Sequence, residues 1–60
     1  MVNFEFSIDV YSVYQDDELC GVLEKNDEGY YLFRATNRKI KLTCKTLQVI
    51  CLKLDELNKG

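Results

Sequence analysis

The chain has no histidine, no proline and no tryptophan, and only three glycines in 60 residues. Without histidine there is no Ser–His–Asp triad and no Cys–His pair. With glycine confined to positions 21, 29 and 60, no glycine-rich loop can cradle a phosphate. Zinc takes four ligands, and Cys20, Cys44 and Cys51 fall one short with no histidine to complete the set. If Cys44 and Cys51 share a helix they stand roughly 10 Å apart, beyond the ~7 Å between Cα atoms that a disulfide spans. The cysteines therefore read as small buried apolar side chains, not as metal or redox chemistry. No run approaches the ~18 apolar residues of a membrane span. The opening Met1-Val2-Asn3-Phe4-Glu5 lacks the basic start and apolar stretch of a secretory signal, so a cytoplasmic location is expected.

What is present suffices for one small fold. At 47% hydrophobic the composition supports a core, although ~60 residues lie near the lower limit for folding without metals or disulfides. No linker, repeat or low-complexity tract interrupts the chain, which predicts a single domain over residues 1–60. The net charge of −2 conceals a division. Residues 1–29 carry eight acids against Lys25 alone, a balance of −7. Residues 30–54 carry six bases and no acid, a balance of +6. Such segregation predicts an electrostatically two-sided molecule.

Turn chemistry and periodicity give an α+β expectation: a three-stranded antiparallel β-meander under one C-terminal helix. Phe4, Phe6, Ile8 and Val10 alternate with polar residues, predicting a strand over 3–14. Asp16-Asp17 marks a tight turn into a strand over 19–25. Asn26-Asp27-Glu28-Gly29 marks a second turn, with Gly29 in the left-handed position, into a strand over 30–35. Residues 39–42 are a possible short fourth strand. Thr43 is a good N-cap for a helix over 44–58, with Leu42 stapled onto Leu47. Leu47, Ile50, Cys51, Leu54 and Leu57 form its apolar stripe, and Gly60 is a natural stop.

The turns also predict register. A two-residue loop at Asp16-Asp17 pairs Tyr14 with Leu19, Ser12 with Gly21 and Val10 with Leu23. The Gly29 turn pairs Leu23 with Phe33 and Gly21 with Ala35. Together these put Phe4, Phe6, Ile8, Val10, Tyr14, Leu19, Leu23, Tyr31 and Phe33 on one core face. They also align Ser12, Gly21 and Ala35 as a row of small residues beneath the helix. One helix covers one face, so Tyr11, Val13, Val22, Tyr30 and Leu32 are expected to form an exposed apolar strip on the other. That strip predicts an interface with a partner protein or with a second copy of the chain. Val and Tyr also favour strands wherever they point, which is the ordinary explanation for each residue alone.

No catalytic residue, cofactor or small-molecule substrate is expected. The carboxylate pairs at turn tips are solvated, and ~300 Å³ or more of pocket is a great deal for so short a chain. Two binding readings follow. In the first, the chain is a protein–protein interaction module, with Asp16, Asp17, Glu18, Asp27 and Glu28 as an acidic partner surface. In the second, Arg34, Arg38, Lys39, Lys41 and Lys45 contact nucleic-acid phosphates, and Tyr30, Tyr31 and Phe33 stack on bases. A three-stranded sheet with a C-terminal helix resembles the arm-type DNA-binding domains of phage and transposon integrases. Against the second reading stand the pI near 4.9 and the acidic first half.

Three segments carry a further resemblance: Val13 to Lys25, Gly29 to Phe33, and Leu47 to Asn58. Together they are similar to small uncharacterised proteins of phages and prophages. That resemblance implies a mobile-element accessory role or inhibition of a host system, in some cases through acidic surfaces resembling nucleic acid. It carries over no functional residues.

Overall fold

Between Val2 and Gln15, where alternation predicts one long strand, the chain makes two. The computed structural model describes residues 1–59 and divides this segment into β1 (Val2–Ser7) and β2 (Val10–Gln15). Ile8 and Asp9 form the two-residue turn between them, both left-handed with φ of 44° and 64°. Asparagine and glycine are the usual residues there, because a Cβ meets the following carbonyl in this conformation. A β-branched isoleucine at such a site costs about 1–2 kcal/mol. The fourth strand thus comes from the first segment, and residues 39–42 are not a strand.

The remaining elements follow their local signals. Asp16 and Asp17, at φ 50° and 68°, turn the chain into β3 (Glu18–Lys25). Asn26 then accepts hydrogen bonds on Oδ1 from the Glu28 and Tyr30 amides, each 3.0 Å. Gly29 takes the left-handed position at φ 88° and leads into β4 (Tyr31–Ala35). The four strands form one antiparallel sheet in the order β1-β2-β3-β4. The helix α1 (Cys44–Asn58) opens where Thr43 Oγ1 accepts the Thr46 amide at 3.1 Å. It ends at Asn58, and the expected stop at Gly60 lies outside the described residues.

Two side chains anchor the helix across the sheet. At its start Gln15, the last residue of β2, accepts the Thr43 amide on Oε1 (3.2 Å) and donates from Nε2 to the Lys41 carbonyl (3.0 Å). At its end Asn58 reads both backbone groups of Tyr31: Oδ1 accepts the Tyr31 amide at 2.7 Å, and Nδ2 donates to the Tyr31 carbonyl at 3.0 Å. The helix therefore lies diagonally, from the end of β2 to the beginning of β4.

Which face it covers is decided by one residue. The pairs Tyr14–Leu19, Leu23–Phe33 and Gly21–Ala35 are as the turns predict. Between Leu19 and Gly21, however, β3 carries a bulge at Cys20, and beyond it Val13 pairs with Gly21 and Tyr11 with Leu23. A bulge inserts one residue into one strand, which shifts every later pair by one and exchanges the faces. Cys20 turns into the core beside the side-chain-free Gly21, and its thiol donates to the Val13 carbonyl at 3.3 Å. Burial pushes the Cys20 thiol above its ordinary value, opposed in part by its own backbone amide.

The core is accordingly Val13, Cys20, Leu23, Tyr31 and Ile50, flanked by Val2, Phe4, Tyr11, Phe33, Leu54 and Leu57. Phe4, Leu23, Tyr31 and Phe33 keep their expected places, and five residues do not. Val10 and Tyr14 lie on the open face by register. Phe6 is 57% exposed at the sheet corner, Ile8 is 89% exposed in its turn, and Leu19 is exposed opposite Tyr14. On the helix, Ile50 is buried and Leu54 and Leu57 are half-buried, while Leu47 and Cys51 face outward; the buried stripe instead includes Thr46. Cys44 is also exposed, so Cys20 alone of the three cysteines is buried as expected. The expected row of small residues also dissolves, because Ser12 pairs with Val22 on the open face and the Phe33 ring lies over Gly21.

Candidate interaction surfaces

The exchange of faces rewrites the apolar strip. Tyr11 and Val13, expected outside, face the helix: Val13 is fully buried, and Tyr11 packs edge-on against Tyr31 with ring centroids 5.7 Å apart. Tyr30 is exposed, but it lies before β4 and outside the sheet. Val22 and Leu32 alone of the five remain on the open face, where Tyr14 and Leu19 join them. The sequence assigned those two to the core. Between Val22 and Leu32 lies an ion pair, Arg34 Nε to Glu24 Oε1 at 2.7 Å, which raises the Arg34 pKa through the hydrogen bond and charge of Glu24. An open cleft of about 280 Å³ beside it is lined by Glu24, Lys25, Asn26, Leu32, Phe33 and Arg34.

The acidic residues do not make one surface. Asp16, Asp17 and Glu18 sit at one end of β3, and Asp27 and Glu28 sit past the other. Eight residues of extended chain separate the groups by roughly 25 Å. The basic residues are more nearly together. Arg38, Lys39 and Lys41 follow β4 on the loop that Gln15 ties down, and Lys45 begins the helix; all four are exposed. Lys45 and Asp16 line the same cleft of about 150 Å³, so the division of charge along the sequence is partly undone in space. Arg34 stands apart, engaged by Glu24. Among the described residues the other ion pair joins the Met1 amino group to Asp16, which leaves Arg38, Lys39, Lys41 and Lys45 without an acidic partner.

The aromatic half of the nucleic-acid constellation is dispersed. Tyr31 is buried, Phe33 is half-buried over Gly21, and Tyr30 lies at the opposite end of β4 from the basic loop. Three aromatic rings on the helix side already have cations above them: Lys53 Nζ lies 5.1 Å from the Tyr11 ring centre and 5.7 Å from that of Phe4, and Lys25 Nζ lies 5.4 Å from that of Tyr31. Such contacts stabilise the fold by roughly 0.5–1 kcal/mol each at partly exposed sites. Among the described residues, no three cysteine or carboxylate side chains gather as a metal site, and no helix is long and apolar enough to cross a membrane.

The fold and surfaces define an α+β protein: a four-stranded antiparallel meander with one face under a C-terminal helix and the other open. No family model, curated protein or solved structure matches the chain.

Proposed function

We propose that the chain is a small non-enzymatic protein–protein interaction module whose partner docks on the open sheet face. The observation that carries this reading is the placement of Tyr14, Leu19, Val22 and Leu32 on the face the helix leaves uncovered. Leu32 is 53% exposed, and the Glu24–Arg34 pair between it and Val22 sets charges of both signs within the apolar group. Protein interfaces mix apolar and polar surface in this way, and arginine is enriched in them. The resemblance to small phage and prophage proteins supports an accessory or host-inhibitory role for that contact.

Arg38, Lys39, Lys41 and Lys45 favour a second reading, nucleic-acid binding, because they lie exposed around the start of α1, without an acidic partner among the described residues. Lys45 sits in a first turn without acidic residues, where the helix dipole is itself positive. One experiment separates the readings. The chain is immobilised and exposed to host lysate with and without nuclease, alongside Val22→Lys and an Arg38→Ala, Lys39→Ala double variant. The open-face reading predicts a retained protein that survives nuclease, persists with the double variant and is lost with Val22→Lys. Capture abolished by nuclease and by the double variant, with affinity for bare DNA falling steeply with salt, would reverse the order.

A further inference from the structure

We propose that the chain self-associates through the free edge of β1, pairing Val2–Ser7 antiparallel with the same strand of a second copy to make one eight-stranded sheet. The two edges of the sheet are not alike. On β4, alternation of inward and outward backbone groups aims those of Tyr31, Phe33 and Ala35 away from β3. Asn58 satisfies both groups of Tyr31, so a side chain already occupies the first rung of that edge. On β1, Ser7 and Val10 flank the two-residue turn, and the Asp16 amide donates to the Met1 carbonyl at 2.8 Å. Residues 1, 3, 5 and 7 therefore face β2, while the amides and carbonyls of Val2, Phe4 and Phe6 point outward. Among the described residues no hydrogen bond reaches them. Sheet proteins guard exposed edges with proline, charged side chains (lysine above all), a bulge or a covering element. β1 carries one charge, Glu5, and none of the other devices: six residues, Val-Asn-Phe-Glu-Phe-Ser, in unbroken register with β2.

Self-pairing fits this edge in one register. With the two-fold axis at Phe4, Phe4 pairs with its own copy and Val2 with Phe6 of the other chain, so all three free rungs are used. Each Glu5 then lies opposite an Asn3, and no like charges meet. Shifting the axis to Glu5 sets two carboxylates face to face, and shifting it to Asn3 leaves Phe6 unpaired. The favoured register also lays Val2 of the second copy beside Phe6, a ring that is 57% exposed and tilted at 48° against Tyr11 with centroids 4.8 Å apart. The same operation at β4, with the axis at Phe33, needs the Tyr31 rung that Asn58 already fills, and moving the axis to join Phe33 to Ala35 places Arg34 against Arg34. Extension at β1 gives a 60-residue chain the shared core that its size denies it. It leaves the open face free, so self-association and partner docking stand or fall separately.

Sedimentation of the purified full chain across a dilution series tests this, with amide exchange followed at low and high concentration. Asn3→Lys and Asn3→Glu are the variants, because Asn3 is exposed and makes no side-chain hydrogen bond in the single chain. The expected result is a concentration-dependent dimer in which the Phe4 and Phe6 amides gain protection and those of Phe33 and Ala35 do not. Asn3→Lys, facing Glu5 twice across the axis, should tighten the dimer about tenfold, and Asn3→Glu should weaken it by about as much. Both variants should keep the wild-type circular dichroism when dilute. A monomer at every concentration would overturn the proposal. So would protection gained at Phe33 and Ala35 instead, or shifts of the same sign from both variants.

Discussion

Val13→Asp is expected to unfold the protein, while Val10→Asp, three residues earlier on the same strand, is expected to leave it folded. Val13 is fully enclosed in the core with Cys20, Leu23, Tyr31 and Ile50, and among the described residues no buried side-chain donor lacks a partner. A buried unpaired charge is among the few single changes that exceed ~4 kcal/mol. At ~0.05–0.15 kcal/mol per residue the whole stability of this chain is about 3–9 kcal/mol, so most or all of it is lost. Val10 is half-buried beside Ser7 on the open face, where aspartate should cost within about 1 kcal/mol. Thermal melts followed by circular dichroism check the pair. The periodicity of β1 and β2 alone predicts the reverse order, so the comparison tests the bulge at Cys20.

Gly21→Ala is expected to cost about 3 kcal/mol, more than Gly29→Ala, although Gly29 is the glycine with the unusual backbone. A Cβ at position 21 would stand 2.5 Å from Phe33 Cε1 and 2.6 Å from the Arg34 carbonyl oxygen. The ring can swing aside, but the carbonyl belongs to β4, so the β3–β4 pairing must open; overpacking of this kind costs ~1–3 kcal/mol even where only side chains yield. At Gly29 a Cβ meets nothing within 4 Å, and only the left-handed φ of 88° resists substitution, at about 1 kcal/mol. Urea midpoints for the two variants give the comparison. Equal costs would mean that Phe33 does not lie over Gly21.

These two predictions mark what was legible in the sequence. The helix, its Thr43 cap, the turns at Asp16-Asp17 and Gly29, and the β3–β4 register all follow from local chemistry that the structure uses as expected. Two features left no such trace. Ile8-Asp9 is a turn without a turn-forming first residue, so alternation runs through it and reads as one strand. The bulge falls on two small residues, Cys20 and Gly21, that carry no pattern of their own, yet it moves Val13 and Tyr11 inward and Val10 and Tyr14 outward. The candidate site inherits both effects. Val22 and Leu32 were legible because they lie on the β3–β4 hairpin, whose register the Gly29 turn fixes. Tyr14 and Leu19 were missed although their mutual pairing was predicted, because the face they share depends on the bulge. The acidic group was assembled from sequence neighbours that β3 holds at opposite ends.

The assignment of faces underlies both the core and the surface offered to partners, and methyl NOEs to Ile50 report it directly. Ile50 is the buried apolar residue at the centre of the helix, and Val10 and Val13 lie on opposite faces of the sheet beneath it. The structure predicts strong NOEs from the Ile50 methyls to Val13 and Leu23 and none to Val10. NOEs from Ile50 to Val10, with Val13 silent, would contradict the bulge, the core and the open-face interface together.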